Sequence, residues 1–171
     1  MIAAAVSSDL PDYRLADAAL LARCVVHRFR SSGPGGQHAN RTESGVRLVH
    51  KASGVTATAD SHRERERNLA EALGRLRLRL AIAVRGGSQT TWLDPHRRNG
   101  RLAIGLRSHD FPGIVAICLD ALTLSEGSLV DASTSIGLSS SQLVRVLALD
   151  KEVRQAADAI RAAAGLSRLR G

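Results

Sequence analysis

Apolar positions along this chain follow two rhythms. In the first part they come in short runs or alternate with polar residues. Leu15 to Arg23 reads as a short helix, and Cys24 to Arg30 as a strand, carrying Val25, Val26 and Phe29. Ser44 to His50 reads as a second strand, with Val46 and Leu48 making one face more apolar. Lys51-Ala52-Ser53-Gly54 is a hairpin turn that puts Gly at a special backbone position, and Val55 to Ala59 is the returning strand. Between the first two strands stands Ser31-Ser32-Gly33-Pro34-Gly35-Gly36, a sequence that only a loop accommodates.

After residue 60 the period becomes helical. Leu69, Leu73, Leu76 and Leu80 recur at spacings of four, three and four, a single apolar stripe. Ser61, three residues before Glu64, forms a capping-box pattern at its start, and Gly86-Gly87 ends it. Arg75 and Arg79 lie one turn apart on another face. Residues 88–109 look irregular, with turn signals at Asp94-Pro95 and Asn99-Gly100. Asp110 then caps a helix with Pro112 in its first turn, running through Ile114 and Leu119 to Leu122. Leu129 to Ser135, Gly137 and a helix opened by Ser139 or Ser140 read as helix, glycine turn, helix. A last helix covers Lys151 to Ala164, with Gly165 as C-cap. These elements predict an α+β fold: a small β-sheet packed with a basic helix, followed by a small all-α, helix-turn-helix-like module. The expected division is an N-terminal segment 1–20, a loop-bearing domain 21–87, a linker 88–107 and a helical module 108–171.

Charge sharpens that division. The chain of 171 residues has a formal net charge of +8. Residues 1–107 hold 18 Lys/Arg against 9 Asp/Glu, net +9, and residues 108–171 hold 6 against 7, net −1. The basic excess lies entirely in the first part, which points to a polyanionic partner such as nucleic acid. The polar boundary near residue 108 predicts that the chain up to Arg107 folds alone. Aromatic residues are only 2% of the chain, so any core is built from Leu, Val, Ile and Ala. Cys24 and Cys118 are far apart and form no CxxC pattern. They read as free buried thiols of a reducing compartment, and neither they nor the scattered His residues suggest a metal site. No run is long and apolar enough to span a membrane, and the N-terminus lacks the basic start of a leader; the expectation is a soluble, cytoplasmic protein without cofactor.

The chemistry is carried by Arg30-Ser31-Ser32-Gly33-Pro34-Gly35-Gly36-Gln37-His38-Ala39-Asn40. Three glycines in four residues free the backbone and let a large partner approach it. Gln37 does not titrate near neutrality, so it cannot be a general base. It offers a backbone N–H and an amide that donates and accepts, suited to an oxyanion or a ribose hydroxyl. A bare Gly-Gly-Gln is equally at home in an ordinary tight turn.

The wider segment RSSGPGGQHANRTESGVRLVHKASGV resembles the catalytic domain of class I peptide chain release factors and their stand-alone relatives. The family pattern is a Ser-Gly-Pro-like step, Gly-Gly-Gln and then x-Val-Asn-Lys, followed by a strand with Val-Arg-Leu. The likeness runs on through Ser61-His62-Arg63 and Asn68 to Leu76-Arg77-Leu78-Arg79-Leu80, covering roughly residues 20–85. Ala39 stands where Val is usual and Arg41 where Lys is usual. The resemblance implies a loop entering the peptidyl-transferase centre of the large ribosomal subunit. There Gln37 would position water at the peptidyl-tRNA ester while its N–H stabilises the transition state, and Gly35 and Gly36 would permit the loop conformation. It further implies RNA contacts by Arg30, Ser32, His38, Asn40, Arg41, Arg47, Arg63, Arg65 and Arg67, and N-methylation of Gln37 by a glutamine methyltransferase. No matching tripeptide for codon reading is found, so the short, codon-independent ribosome-rescue branch is implied, although the Lys/Arg-rich tail of that branch is missing. Two further readings stay open: a non-catalytic ribosome- or RNA-binding module, and a DNA-binding regulator that uses Ile136 to Val144 as a helix-turn-helix.

Overall fold

A computed structural model describes residues 10–30, 43–86 and 88–169. A 3-10 turn at Asp12–Arg14 leads to α1 (Asp17–Ala22), β1 (Cys24–Phe29), β2 (Gly45–His50), β3 (Thr56–Ala59) and the long α2 (Arg65–Ala83). A second 3-10 turn, Thr90–His96, precedes a two-residue-strand hairpin of β4 (Arg97–Arg98) and β5 (Arg101–Leu102). Then come α3 (Phe111–Leu124), α4 (Leu129–Ser135), α5 (Ser140–Leu147) and α6 (Lys151–Ala163). The fold is α+β. No described helix is long and apolar enough to cross a membrane.

The sheet is antiparallel in the order β1-β2-β3, with Arg47 opposite both His27 and Thr58. Side chains alternate across it. Val46, Leu48, Ala57 and Ala59 face inward and are buried against Leu73, Leu76 and Leu80 of α2, while Leu69 is only partly buried. The hairpin turn works as its sequence suggests: Gly54 has φ +71°, a conformation that L-residues rarely adopt. A second, larger apolar cluster is built around α3. Ile114, Leu119 and Leu122 of α3 meet Leu143, Val146, Leu147 and Val153 from α5 and α6 there. Helix α2 serves both clusters, since Leu78 and Ile82 on its other side pack against the α3 cluster, and Ala116 of α3 belongs to the sheet cluster.

The helix boundaries differ from the sequence expectation in instructive places. The Ser61–Glu64 capping box does not form: α2 begins at Arg65, and Glu64 holds the N-cap position without a side-chain hydrogen bond. Ser61 instead donates to Glu71 at 2.6 Å, because the chain between them is a bend rather than a first helical turn. Asp110 occupies the N-cap of α3 but makes no cap bond; its carboxylate faces Arg14 at 3.6 Å and His96 at 3.2 Å. Residues 88–109, read as irregular, contain the 3-10 turn and the hairpin. Leu93 and Leu102 from them are fully buried in the α3 cluster. Asn99 and Gly100, both at positive φ, supply the tight turn of the hairpin. The cap at Ser139 forms as expected, Asp150 caps α6 as well, and Gly137 and Gly165 take positive φ after α4 and α6. Cys24 and Cys118 are both free and buried, and burial pushes the Cys118 thiol up to about 12.

Candidate functional site

The residues expected to carry chemistry, Gly35, Gly36 and Gln37, lie outside the described residues. So do Ser32, His38, Asn40 and Arg41 among the expected RNA contacts. What the structure describes is the frame from which residues 31–42 connect β1 to β2. Phe29, at the end of β1, pairs with Gly45, the first residue of β2. The Phe29 ring lies over Gly45 so closely that an added Cβ would meet ring atoms at 2.7 to 2.9 Å. Any larger residue at 45 would have to displace that ring, so Gly45 lets Phe29 lie across the start of β2. Arg30 and Glu43 approach each other at 3.6 Å, both exposed.

A tether that the sequence reading missed holds this foot to α2. Asn68 is fully buried in the first turns of the helix. Its amide donates to the carbonyls of Ser44 and His62, both at 2.8 Å, and its oxygen accepts from the His62 N–H at 2.9 Å. One side chain thus ties the start of β2, the bend before α2 and α2 itself together. The antiparallel register places the end of β1, the start of β2, the end of β3 and the start of α2 at one end of the sheet. Arg30 after β1 and Arg63, Arg65 and Arg67 around the start of α2 therefore belong to the same end of the sheet. Arg65 has Glu66 at 3.4 Å and Arg67 has Glu64 at 3.6 Å. These pairs are exposed, and such pairs contribute about 0–1 kcal/mol each, so they hold the guanidinium groups only weakly. Arg47 stands two residues into β2 on the open face of the sheet, in a shallow cleft lined also by His27, Phe29, Thr56 and Thr58.

The other arginines of α2 are structural. Arg75 donates to the Thr58 carbonyl at 2.5 Å and Arg79 to that of Thr56 at 2.8 Å, covering the free edge of β3. Arg77 is buried and holds the N-terminal segment through the carbonyls of Tyr13 and Leu15 and the carboxylate of Asp17. At the far end of the sheet, Ser53, His50 and Asp12 form a hydrogen-bonded chain, at 2.8 Å and 2.7 Å. Residue types alone suggest a nucleophilic triad, but the Ser53 oxygen also accepts the Val55 N–H and Asp12 is shared with Arg23. The chain is a strap that fastens the 3-10 turn at residue 12 to the sheet. No group of His, Cys, Asp and Glu suited to a metal occurs among the described residues.

Residues 22–100 match the RF-1 domain family model. This stretch of the chain is release-factor-like. A chloroplastic peptide chain release factor, PrfB2, of Arabidopsis thaliana is 51% identical over 55 residues, 32% of this chain and 11% of that protein. Peptide chain release factor 1 of Caldicellulosiruptor bescii is 35% identical over 91 residues, 51% of this chain and 25% of that protein. Both alignments span a quarter of the relative's length or less. The RF-1 match starts at the end of α1, takes in the sheet and α2, and ends inside the β4–β5 hairpin. It therefore crosses the segment 88–100, whose Leu93 is buried in the α3 cluster.

Proposed function

We propose that this chain hydrolyses the ester of peptidyl-tRNA on the ribosome and releases the nascent peptide without reading a stop codon. The reading is supported above all by an RF-1 domain that keeps Gly35-Gly36-Gln37 between two paired strands. In this proposal Gly35 and Gly36 give the loop its backbone freedom. Gln37 positions water and lends its N–H to the developing oxyanion, and ribosomal RNA and the tRNA ribose complete the site. The phosphate contacts are assigned to Arg30, Ser32, His38, Asn40, Arg41, Arg47, Arg63, Arg65 and Arg67. Residues 21–87 carry the chemistry and 108–171 form a helical module. A glutamine methyltransferase acting on Gln37 and a cytoplasmic site of action belong to the same reading.

Single-turnover release of peptide from purified ribosomes tests it, with and without mRNA in the A site. Gly36→Ala should slow release by about 10²–10³, since loss of one aimed oxyanion donor has that effect. Gln37→Ala should slow it less, because the backbone donor persists. Ribosome binding should hold in both. A Gly36→Ala protein as fast as the parent removes the catalytic reading and leaves the non-catalytic RNA-binding module. Release that requires a stop codon removes the rescue assignment. The DNA-regulator reading is disfavoured by a specific contact. Gln142, near the start of α5, donates to the Gly100 carbonyl at 3.2 Å and accepts the Leu102 N–H at 3.3 Å. The hairpin thus engages the amide of Gln142, a side chain that a recognition helix would need for reading base edges.

A further inference from the structure

The strongest unassigned feature lies where the β4–β5 hairpin meets α5. Arg98, Arg101 and Arg145 line an open cleft there with Ser139, Ser141 and Gln142, and no lining residue is acidic. All three arginines are exposed. Among the described residues none of them is in an ion pair with a carboxylate, unlike Arg14, Arg23, Arg30, Arg65, Arg75 and Arg79. Arg98 and Arg101 are cross-strand partners flanking the two-residue turn. Like charges directly opposite in a sheet are destabilising. The hairpin therefore sets two like charges side by side, with no carboxylate partner among the described residues.

The cleft is also rigidly built. Gln142 clasps Gly100 and Leu102, Arg145 donates to the Leu102 carbonyl, and Arg97 donates to the carbonyls of Gly137 and Ile136 at 2.7 and 2.9 Å. The hairpin is thus fastened to the turn between α4 and α5 before any ligand arrives, which lowers the ordering cost of binding. The linear split of charge at residue 108 hides this site, because two of its arginines precede the boundary and one follows it.

We propose that this cleft binds the phosphate backbone of structured RNA, as a second contact separate from the loop end of the sheet. The polyanion follows from three guanidinium groups that have no carboxylate partner among the described residues, Arg98 and Arg145 each spending one donor on a backbone carbonyl; the remaining donors suit phosphate oxygens. Backbone rather than base recognition follows from Gln142, whose amide is already engaged by the hairpin. The choice of RNA over DNA rests on the release-factor reading above.

The test uses the full chain and a short, fully paired RNA hairpin, with fluorescence anisotropy across a salt series. Arg98→Gln with Arg101→Gln should weaken binding roughly tenfold and lower the salt slope by about 2, as for two lost phosphate contacts. Neither side chain holds the fold through another element, and a thermal melt of the variant checks that. Arg145→Lys keeps the charge and should bind more tightly than Arg145→Gln. An unchanged salt slope in the double variant overturns the site. Equal binding of poly-glutamate overturns a phosphate site, and tighter binding of a DNA duplex of the same sequence overturns RNA as the partner. Naked RNA is the probe, so failure of peptide release would leave this result standing, and the reverse holds as well.

Discussion

The two apolar clusters of this chain are held in different ways. The cluster around α3 is built mainly of Leu, Ile and Val together with Phe111, and α3 is buried on nearly every side: Ile114, Val115, Ala116, Cys118, Leu119 and Leu122 are all at 0% exposure. The cluster beneath the sheet leans on small residues, with Ala57, Ala59, Ala72 and Ala81 among its buried members. Small side chains bury little area, so they supply little hydrophobic stabilisation. Polar clamps surround that cluster instead: Asn68 at the loop foot, Arg77 beneath α1, Arg75 and Arg79 on the β3 edge, and the His50 strap. The half of the molecule that presents the loop is thus defined by directional bonds, and the other half supplies a wall of hydrophobic contact. Directional bonds fix positions more sharply than apolar packing does, which suits a part that must aim a loop.

The largest way to break this comparison is to remove the wall. The charge boundary predicts that a chain ending at Arg107 folds alone, whereas the packing predicts that it does not. Leu78 and Ile82 of α2 and the buried Leu93 and Leu102 would lose their partners in α3, α5 and α6. We expect the truncated chain to lose its cooperative thermal transition by far-UV circular dichroism. A sharp transition near that of the full chain would show that the sheet cluster is self-sufficient.

A milder break is Leu119→Ala, at a fully buried position of the wall. Such truncations typically cost about 2–5 kcal/mol. The fluorescence of Trp92, which touches both clusters, and the circular dichroism of the helices should shift together in denaturant. Separate midpoints would mean that the clusters unfold independently. Peptide release at temperatures where the variant is folded should match the parent, because Leu119 belongs to the α3 cluster and not to the one beneath the sheet. Asn68→Ala should do the opposite. It removes three hydrogen bonds, each contributing about 0.5–1.5 kcal/mol, and leaves Ser44 and His62 groups without partners. The expected loss is about 1–3 kcal/mol, smaller than for Leu119→Ala, but release should slow measurably even in the folded protein. Unaltered release would reduce Asn68 to a stability residue.

The sequence exposed what depends on period and punctuation. The alternation in β2, the leucine stripe of α2 and the glycines at 54, 100, 137 and 165 each signal a local geometry that neighbours in sequence decide. The reading of residues 31–42 as a loop rests on the same punctuation and lies outside the described residues. Asn68 was not legible, because a single polar residue in a helix has no period; its role comes from Ser44, far away in sequence. Arg77 reads as surface charge, yet it is buried by contacts with residues 13, 15 and 17. Leu93 and Leu102 lie in a stretch without regular pattern, so only the tertiary packing reveals them as core. The Arg98–Arg101–Arg145 cleft was masked by counting charge along the chain instead of across the surface.

The smallest expected effect concerns the salt bridge that joins α2 to α6. Arg79 of α2 grips Glu152 of α6 in a bidentate pair, at 2.9 and 2.6 Å, while its other nitrogen donates to the Thr56 carbonyl. The side chains are 39% and 45% exposed, so solvent screens them and the pair contributes about 0–1 kcal/mol. The hydrogen bond from Arg79 holds the Glu152 carboxyl below its ordinary value of 4.5. A depressed carboxylate stabilises the fold above its unfolded pKa, and that contribution is lost as pH falls through the folded one. Glu152→Gln should therefore lower the melting temperature slightly at pH 7, by about 2–4 °C at most for a domain of this size. The gap between parent and variant should close as the pH falls below 4.5. High salt at pH 7 should narrow it as well, since exposed charges are screened. Glu71, held down chiefly by the Ser61 hydroxyl, is retained in both proteins and gives each the same residual loss in acid. A gap that persists in acid and in high salt would mean that Glu152 acts through the packing of its methylenes on α2, and that no charge links the halves.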